Sequence, residues 1–462
     1  MLAQAPLDFL PQRLLPWLPQ LMRPVLPLLL RLQAGLVGVE ADHLERLVAA
    51  IGRFQRGEAR LLVAFRHPQT SDPFCYSALL WDLLPRSARA QGQPLRTFVH
   101  SHFLYDRGIP LWAGSTVAWL FTRLGGSSIQ RGKLDLKGLR AARQLMLDGE
   151  YPLAAAPEGA TNGLSDVLSP LEPGVAQIAF WAVEDLAQAG RTEAVELVPL
   201  GIRYHYVEPI GPAADRVLSG LERACGLPVP PPGPAAASAP GVAGAEEAQL
   251  AALYPRLAAV ADWLLQRLER FYRQAHRALL EGEGPITPEN RGERLRHLLE
   301  AALAVSETQL GLIAKGSLND RCRRIEQAGW DCIYRPETRD RQALSAVELG
   351  LADRLATDAE RALWHMRLVE SFVAVSGTHV REKPCADRFG ETLQILFSLV
   401  HRLTGDGAML KVPRLGLRRA QISVGEPIDV SARRDAYRAG RQGAVASLTQ
   451  DLSVALQGLM EP

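Results

Sequence analysis

Residues 61–73 read LLVAFRHPQTSDP. The apolar run Leu61, Leu62, Val63, Ala64 and Phe65 has the length and character of a buried strand, and it delivers His67 onto a turn that ends at Asp72 and Pro73. A helix is expected at once. Asp72 stands where an N-cap belongs, Pro73 fits the first helical position, and FCYSALLWDLL has the apolar spacing of a helix packed on a sheet. The unit therefore holds one histidine and one carboxylate a turn apart. An imidazole at the C-terminal end of a strand, with a carboxylate to fix its tautomer, is what a general base requires. A capping aspartate beside an ordinary loop histidine is the competing reading, and the pair alone does not decide between them.

Outward from this stretch, LRTFVH (95–100), YPLAAAP (151–157) and AVELVPLGI (194–202) read as further strands. Helical stretches lie between them, at 134–149 and 175–190 among others. Such alternation predicts an α/β fold, a mostly parallel sheet flanked by helices. Pro199 inside the last of these strands suggests an edge, a bulge or the wall of a channel.

The pattern changes beyond residue 226. Residues 227–245 are Pro, Ala and Gly with few side chains able to pack, a linker or long surface loop. Residues 246–415 then carry helical periods, with Leu257, Val260, Leu264, Phe271, Ala275 and Leu279 on one face. Strand character returns in AQISVGEPIDVS (420–431), followed by a helix at 448–459. The expected organisation is a leader over 1–41, an α/β domain over 42–226, the linker, and a large all-helical insertion over 246–415. Residues 416–462 then supply the closing strand and helix of the α/β domain.

With 47% hydrophobic residues in 462, the chain can bury a large core. Its 52 basic and 50 acidic side chains nearly cancel, so it lacks the signature of a nucleic-acid protein. Cys75, Cys225, Cys322, Cys332 and Cys385 include no C-x-x-C and no metal spacing, which fits a reducing compartment. The leader is dense in Leu and Pro. Pro16, Pro19, Pro24 and Pro27 interrupt it and Arg23 and Arg31 charge it, so it reads as an interfacial segment with Trp17 toward lipid, or a helix packed on the protein itself.

Two more stretches carry chemistry. GGSSIQRGK (125–133) sets Arg131 and Lys133 beside glycines, able to hold an anion by charge and by backbone N–H groups. It is not a P-loop, because the glycine spacing is wrong and Leu134 follows the lysine. AAAPEGATNG (154–163) places Glu158 and Gly159 at the C-terminal end of a strand, where open α/β sheets bind ligands.

The order RHPQTSD, GGSSIQR, APEGATNG, LVPLGI resembles the four successive motifs of the glycerolipid acyltransferases, the family of lysophosphatidic acid acyltransferase, over roughly residues 45–215. LEPGVAQIAFWA (171–182) looks like that family's glycine-started helix. The resemblance implies that His67 is a general base for an acceptor hydroxyl and that Asp72 orients it. It implies that Arg131 holds the acceptor's phosphate, and that Glu158 and Gly159 shape the acceptor site. The acyl donor would be a thioester, on coenzyme A or acyl carrier protein, with no bound cofactor and no metal. The acceptor would be 1-acylglycerol-3-phosphate or another lysophospholipid, met by a peripheral protein at the cytoplasmic membrane face. Two departures stand out: Ala160, Thr161 and Asn162 replace the Thr and Arg expected after Gly159, and Arg66 replaces a common Asn. Lys133 and Arg203 join Arg131 as cations able to compensate.

Other readings remain open at this level. One is an inactive lipid-binding or scaffold protein on the same fold. Another is a metal hydrolase using His67, Asp72, His100 and His102. The insertion fits a cover over the acyl channel, a carrier-protein site, a membrane dock or a stabilising cap, and Arg321, Arg323 and Arg324 read as a basic patch or a solvated helix face.

Overall fold

A computed structural model of the chain describes residues 2–96, 98–130, 135–231, 245–280, 284–372, 375–405 and 412–461. Among these residues eight strands form one sheet: β1 (Leu36–Asp42), β2 (Ala59–Phe65), β3 (His102–Asp106), β4 (Gly126–Ile129), β5 (Leu153–Ala155), β6 (Ala194–Tyr206), β7 (Arg418–Val424) and β8 (Ile428–Asp429). Their order is β1-β7-β6-β2-β5-β3-β4, with β8 paired to β6. The pairs β1–β7, β2–β5, β2–β6, β3–β4 and β3–β5 are parallel, and β6–β8 is antiparallel. The fold is α/β with a mostly parallel sheet, flanking helices and a helical insertion, as the alternation predicts.

The continuous apolar run of β2 follows from burial on both faces. Leu61, Val63 and Phe65 join one core with the helices Leu44–Arg56 and Asp72–Ala78, and Leu62 and Ala64 join another with the helices Gly174–Gln188 and Arg441–Gly458. The strand expected at 95–100 is displaced. Pairing starts only at His102, whose N–H donates to the Pro152 carbonyl at 2.8 Å, while Phe98 and His100 pack their rings against Trp81. Pro199 lies in an interior strand, not at an edge. β8 pairs with Glu196 and Leu197, and the Gly425 N–H donates to the Pro199 carbonyl at 2.9 Å, so the proline falls at the break between β8 and β7.

The chain divides into two compact units. The α/β unit comprises residues 8–161, 165–205 and 418–462, and the helical unit residues 1–7, 162–164 and 206–417. The helical unit includes the helices Gly211–Cys225, Ala245–His276, Arg291–Leu310, Leu318–Ile333, Ala346–Glu370 and Ala386–Thr404, which share one core. Capping boxes at Ser317 with Asp320 and Ser345 with Glu348 start two of them. The arginine cluster is taken up internally: Arg321 pairs with Glu307 at 2.7 Å, Arg323 with Glu326 at 2.8 Å, and Arg324 with Glu307 at 3.6 Å. The linker at 227–245 lies largely outside the described residues.

The leader is helical from residue 17 to 34 despite its prolines, with a 3₁₀ turn at Arg23–Val25 accommodating Pro24. Leu26 and Leu30 enter the core of the α/β unit. Trp17, Leu21, Val25, Leu28 and Leu32, at intervals of three and four, are 44–61% exposed. No helix among the described residues is long and apolar enough to cross a membrane.

Candidate active site

Three adjacent strands bring their carboxyl ends together: His67 follows β2, Glu158 follows β5, and Tyr204 lies near the end of β6. His67 Nδ1 lies 2.8 Å from Asp72 Oδ2. The carboxylate is fully buried, while the imidazole is 25% exposed and so can be reached by a substrate. Asp72 also accepts the Gln69 N–H at 2.9 Å and the Tyr204 hydroxyl. Burial, and then the Asp72 charge beside it, push that hydroxyl well above its usual range, so it stays protonated and donates. With Asp72 accepting from Nδ1–H, the imidazole presents its lone pair at Nε2. Ser71, not Asp72, occupies the N-cap position. Asp72 is the first residue of its helix and turns its carboxylate back over the His67 turn.

Glu158 links the ends of two loops. Its Oε1 accepts the His67 N–H at 3.0 Å and its Oε2 the Ser169 N–H at 2.9 Å. Arg66, wholly buried, lies 3.8 Å from Glu158 and donates to the carbonyls of Ser165 and Val167. The pair therefore sets the backbone around His67 from within. Gly159 has φ of +72°, the left-handed region that favours glycine, and a Cβ there would have to displace the Glu172 carboxylate.

Arg203 is not brought to this group. It lies on the other face of β6 from Tyr204, on the side where Gly201 meets Leu459, and donates to the Met460 carbonyl at 3.0 Å. Arg131 and Lys133 lie outside the described residues. The chain on either side of them is pinned by Asp135, which accepts the Gln130 N–H at 2.9 Å, pairs with Arg107 and caps the helix Leu136–Asp148. Two participants escaped the sequence reading. Tyr204 reaches Asp72, and the Arg418 guanidinium lies over the Tyr204 ring at 5.0 Å. The alternation of IRYHY puts Tyr204 and His205 on opposite faces, but only the folded sheet shows that Tyr204 faces Asp72 while His205 is exposed.

His100 and His102 belong to packing. The Trp81 indole N–H donates to His100 Nδ1 at 3.2 Å, so the ring's Nε2–H donates to the Leu124 carbonyl at 3.0 Å. Among the described residues they assemble no metal-ligand group with His67 and Asp72. Burial lowers the His100 pKa to about 4. The folded state therefore refuses a proton that the unfolded chain takes up below about 6.5, and stability falls as pH drops from there toward 4. His100→Gln keeps an acceptor and a donor without titrating. Between pH 7 and 5 it is expected to lose about 2 kcal/mol less stability than the wild type, read from urea midpoints; equal losses would remove His100 as the cause.

The fold and the His67–Asp72 geometry define an α/β protein with a histidine–carboxylate pair at the carboxyl edge of its sheet. No protein-family model, curated protein or solved structure matches the chain.

Proposed function

We propose that the protein is an O-acyltransferase that moves a fatty acyl group from a thioester donor to the hydroxyl of a glycerolipid acceptor. The observation that carries this reading is the 2.8 Å contact of a reachable imidazole with a buried carboxylate. His67 Nε2 takes the proton as the acceptor oxygen attacks the thioester carbonyl. The thiolate then leaves, recovers that proton from the imidazolium, and no acyl-enzyme forms. Asp72 holds the tautomer and balances the imidazolium charge, as the carboxylate does in a catalytic triad. Arg131 and Lys133 are assigned the acceptor's anionic headgroup, with 1-acylglycerol-3-phosphate or another lysophospholipid as acceptor.

The exposed leader stripe supports peripheral attachment at a membrane, since a helix with one apolar face lies in the interface. Replacing Trp17 and Leu21 together by Ser is expected to weaken sedimentation with anionic vesicles about a hundredfold, from the apolar area no longer buried in lipid. Unchanged sedimentation would exclude the stripe as the contact. The function itself is tested by transfer of radiolabelled acyl groups from acyl-coenzyme A and acyl carrier protein donors to a panel of lysolipids. Product that appears with wild type and not with His67→Ala establishes it. Absence of transfer from every donor, by folded protein on a lipid surface, overturns it in favour of a lipid-binding role.

A further inference from the structure

The helical unit contains a cavity of about 110 Å³ among the helices Ala245–His276, Arg291–Leu310, Ala346–Glu370 and Ala386–Thr404. On the first of these, Leu257, Ala261, Leu264 and Leu268 recur at intervals of three and four, so they line up along one face. The lining there runs from Tyr254 to Leu268, about 21 Å at 1.5 Å per residue. So small a volume beside so long a wall makes a slender space. Among the described residues no carboxylate or lysine lines it, and its polar side chains are those of Tyr254, Arg291, His379 and Thr392. Its arginine, Arg291, is held by Asp262 at 2.5 and 2.8 Å.

A helical core of this size ordinarily closes such a space, because interiors pack densely and voids are destabilising. Here Ala258 and Ala261 stand in the wall where larger side chains would fill it. An apolar lining rejects phosphates and other polar groups that cannot recover their hydrogen bonds, and a slender space rejects broad ring systems. A flexible unbranched hydrocarbon satisfies both conditions. We propose that the helical unit binds one unbranched fatty acyl chain in this cavity. Buried Leu164, from the 162–164 segment of the helical unit, completes the wall.

The site stands apart from the acyltransferase reading, because it is tested without turnover. The full-length protein is titrated with the fluorescent fatty acid cis-parinaric acid, and the bound probe is displaced by palmitic acid, palmitoyl-coenzyme A or a lysophosphatidic acid in separate arms. Saturable binding, displaced by at least one of the three and weakened tenfold or more in Ala261→Trp, supports the site, and the arm that displaces best tells which headgroup accompanies the chain. Val347→Trp, on an exposed helix face, is the control expected to bind as wild type. A diazirine-bearing palmitic acid provides a second readout on unaltered protein, with crosslinks expected in residues 254–268, 291–299, 368–372, 375–380 or 392–399. Absence of saturable binding, binding unchanged in folded Ala261→Trp, or crosslinks confined to other segments would each overturn the proposal.

Discussion

His67→Ala is expected to lower acyl transfer by roughly 10²–10⁴-fold, the range a positioned general base contributes, while leaving the fold intact. The imidazole is partly exposed, so its removal opens no sealed void, and Asp72 keeps the Gln69 N–H and the Tyr204 hydroxyl as partners. The loss of one hydrogen bond to a charged group is worth about 1.5–3 kcal/mol at most. Asp72→Asn is expected to fall by a similar rate factor, because the amide no longer fixes the Nδ1–H tautomer. The double variant should be no slower than the worse single one, as happens when two residues act as a unit. Initial rates of radiolabelled transfer measure all three. Independent, multiplying effects would show that the two side chains do not work as a pair.

The second large effect is on stability. Arg66→Met removes a buried guanidinium that satisfies the Ser165 and Val167 carbonyls and lies 3.8 Å from Glu158. Breaking a buried ion pair from one side leaves the other charge uncompensated, and the expected cost is about 3–5 kcal/mol. Glu158→Gln carries part of that cost and weakens the grip on the His67 N–H. Because the two share one network, the double variant should cost less than the sum, by about 1–3 kcal/mol. Urea unfolding of the four proteins gives the cycle. A cost below about 1 kcal/mol for Arg66→Met would mean that the guanidinium is dispensable to the loop.

The sequence made β2, β5, β6 and the His67–Asp72 pair legible because each is a local signal: an apolar run, a turn, a histidine and a carboxylate a few residues apart. It misplaced β3, since FVHSHFLYD carries apolar and aromatic residues at both of its ends and the start of pairing is set by β5, a distant neighbour. The part of Tyr204 was hidden for the same reason, as its bond to Asp72 joins segments far apart in the chain. Arg66, which the sequence shows only as a replacement for a common Asn, proves to be an internal anchor. No pattern in its vicinity announces that its partners are carbonyls beyond the Glu158 loop. Arg203 looked available because an arginine in a strand sequence carries no label for the face it will take.

Among the described residues, strand β1 has β7 as its sole neighbour in the sheet, and the helical unit separates them along the chain. On the ribosome, at about 5–20 residues per second, roughly 20–75 s pass between the synthesis of β1 and that of β7. The helical unit emerges in that interval almost as one piece and can complete its core first. The nascent chain therefore holds an unpaired strand edge, of the kind that invites wrong partners, through most of its synthesis. The order of assembly runs against the order of translation: the first strand made waits for nearly the last.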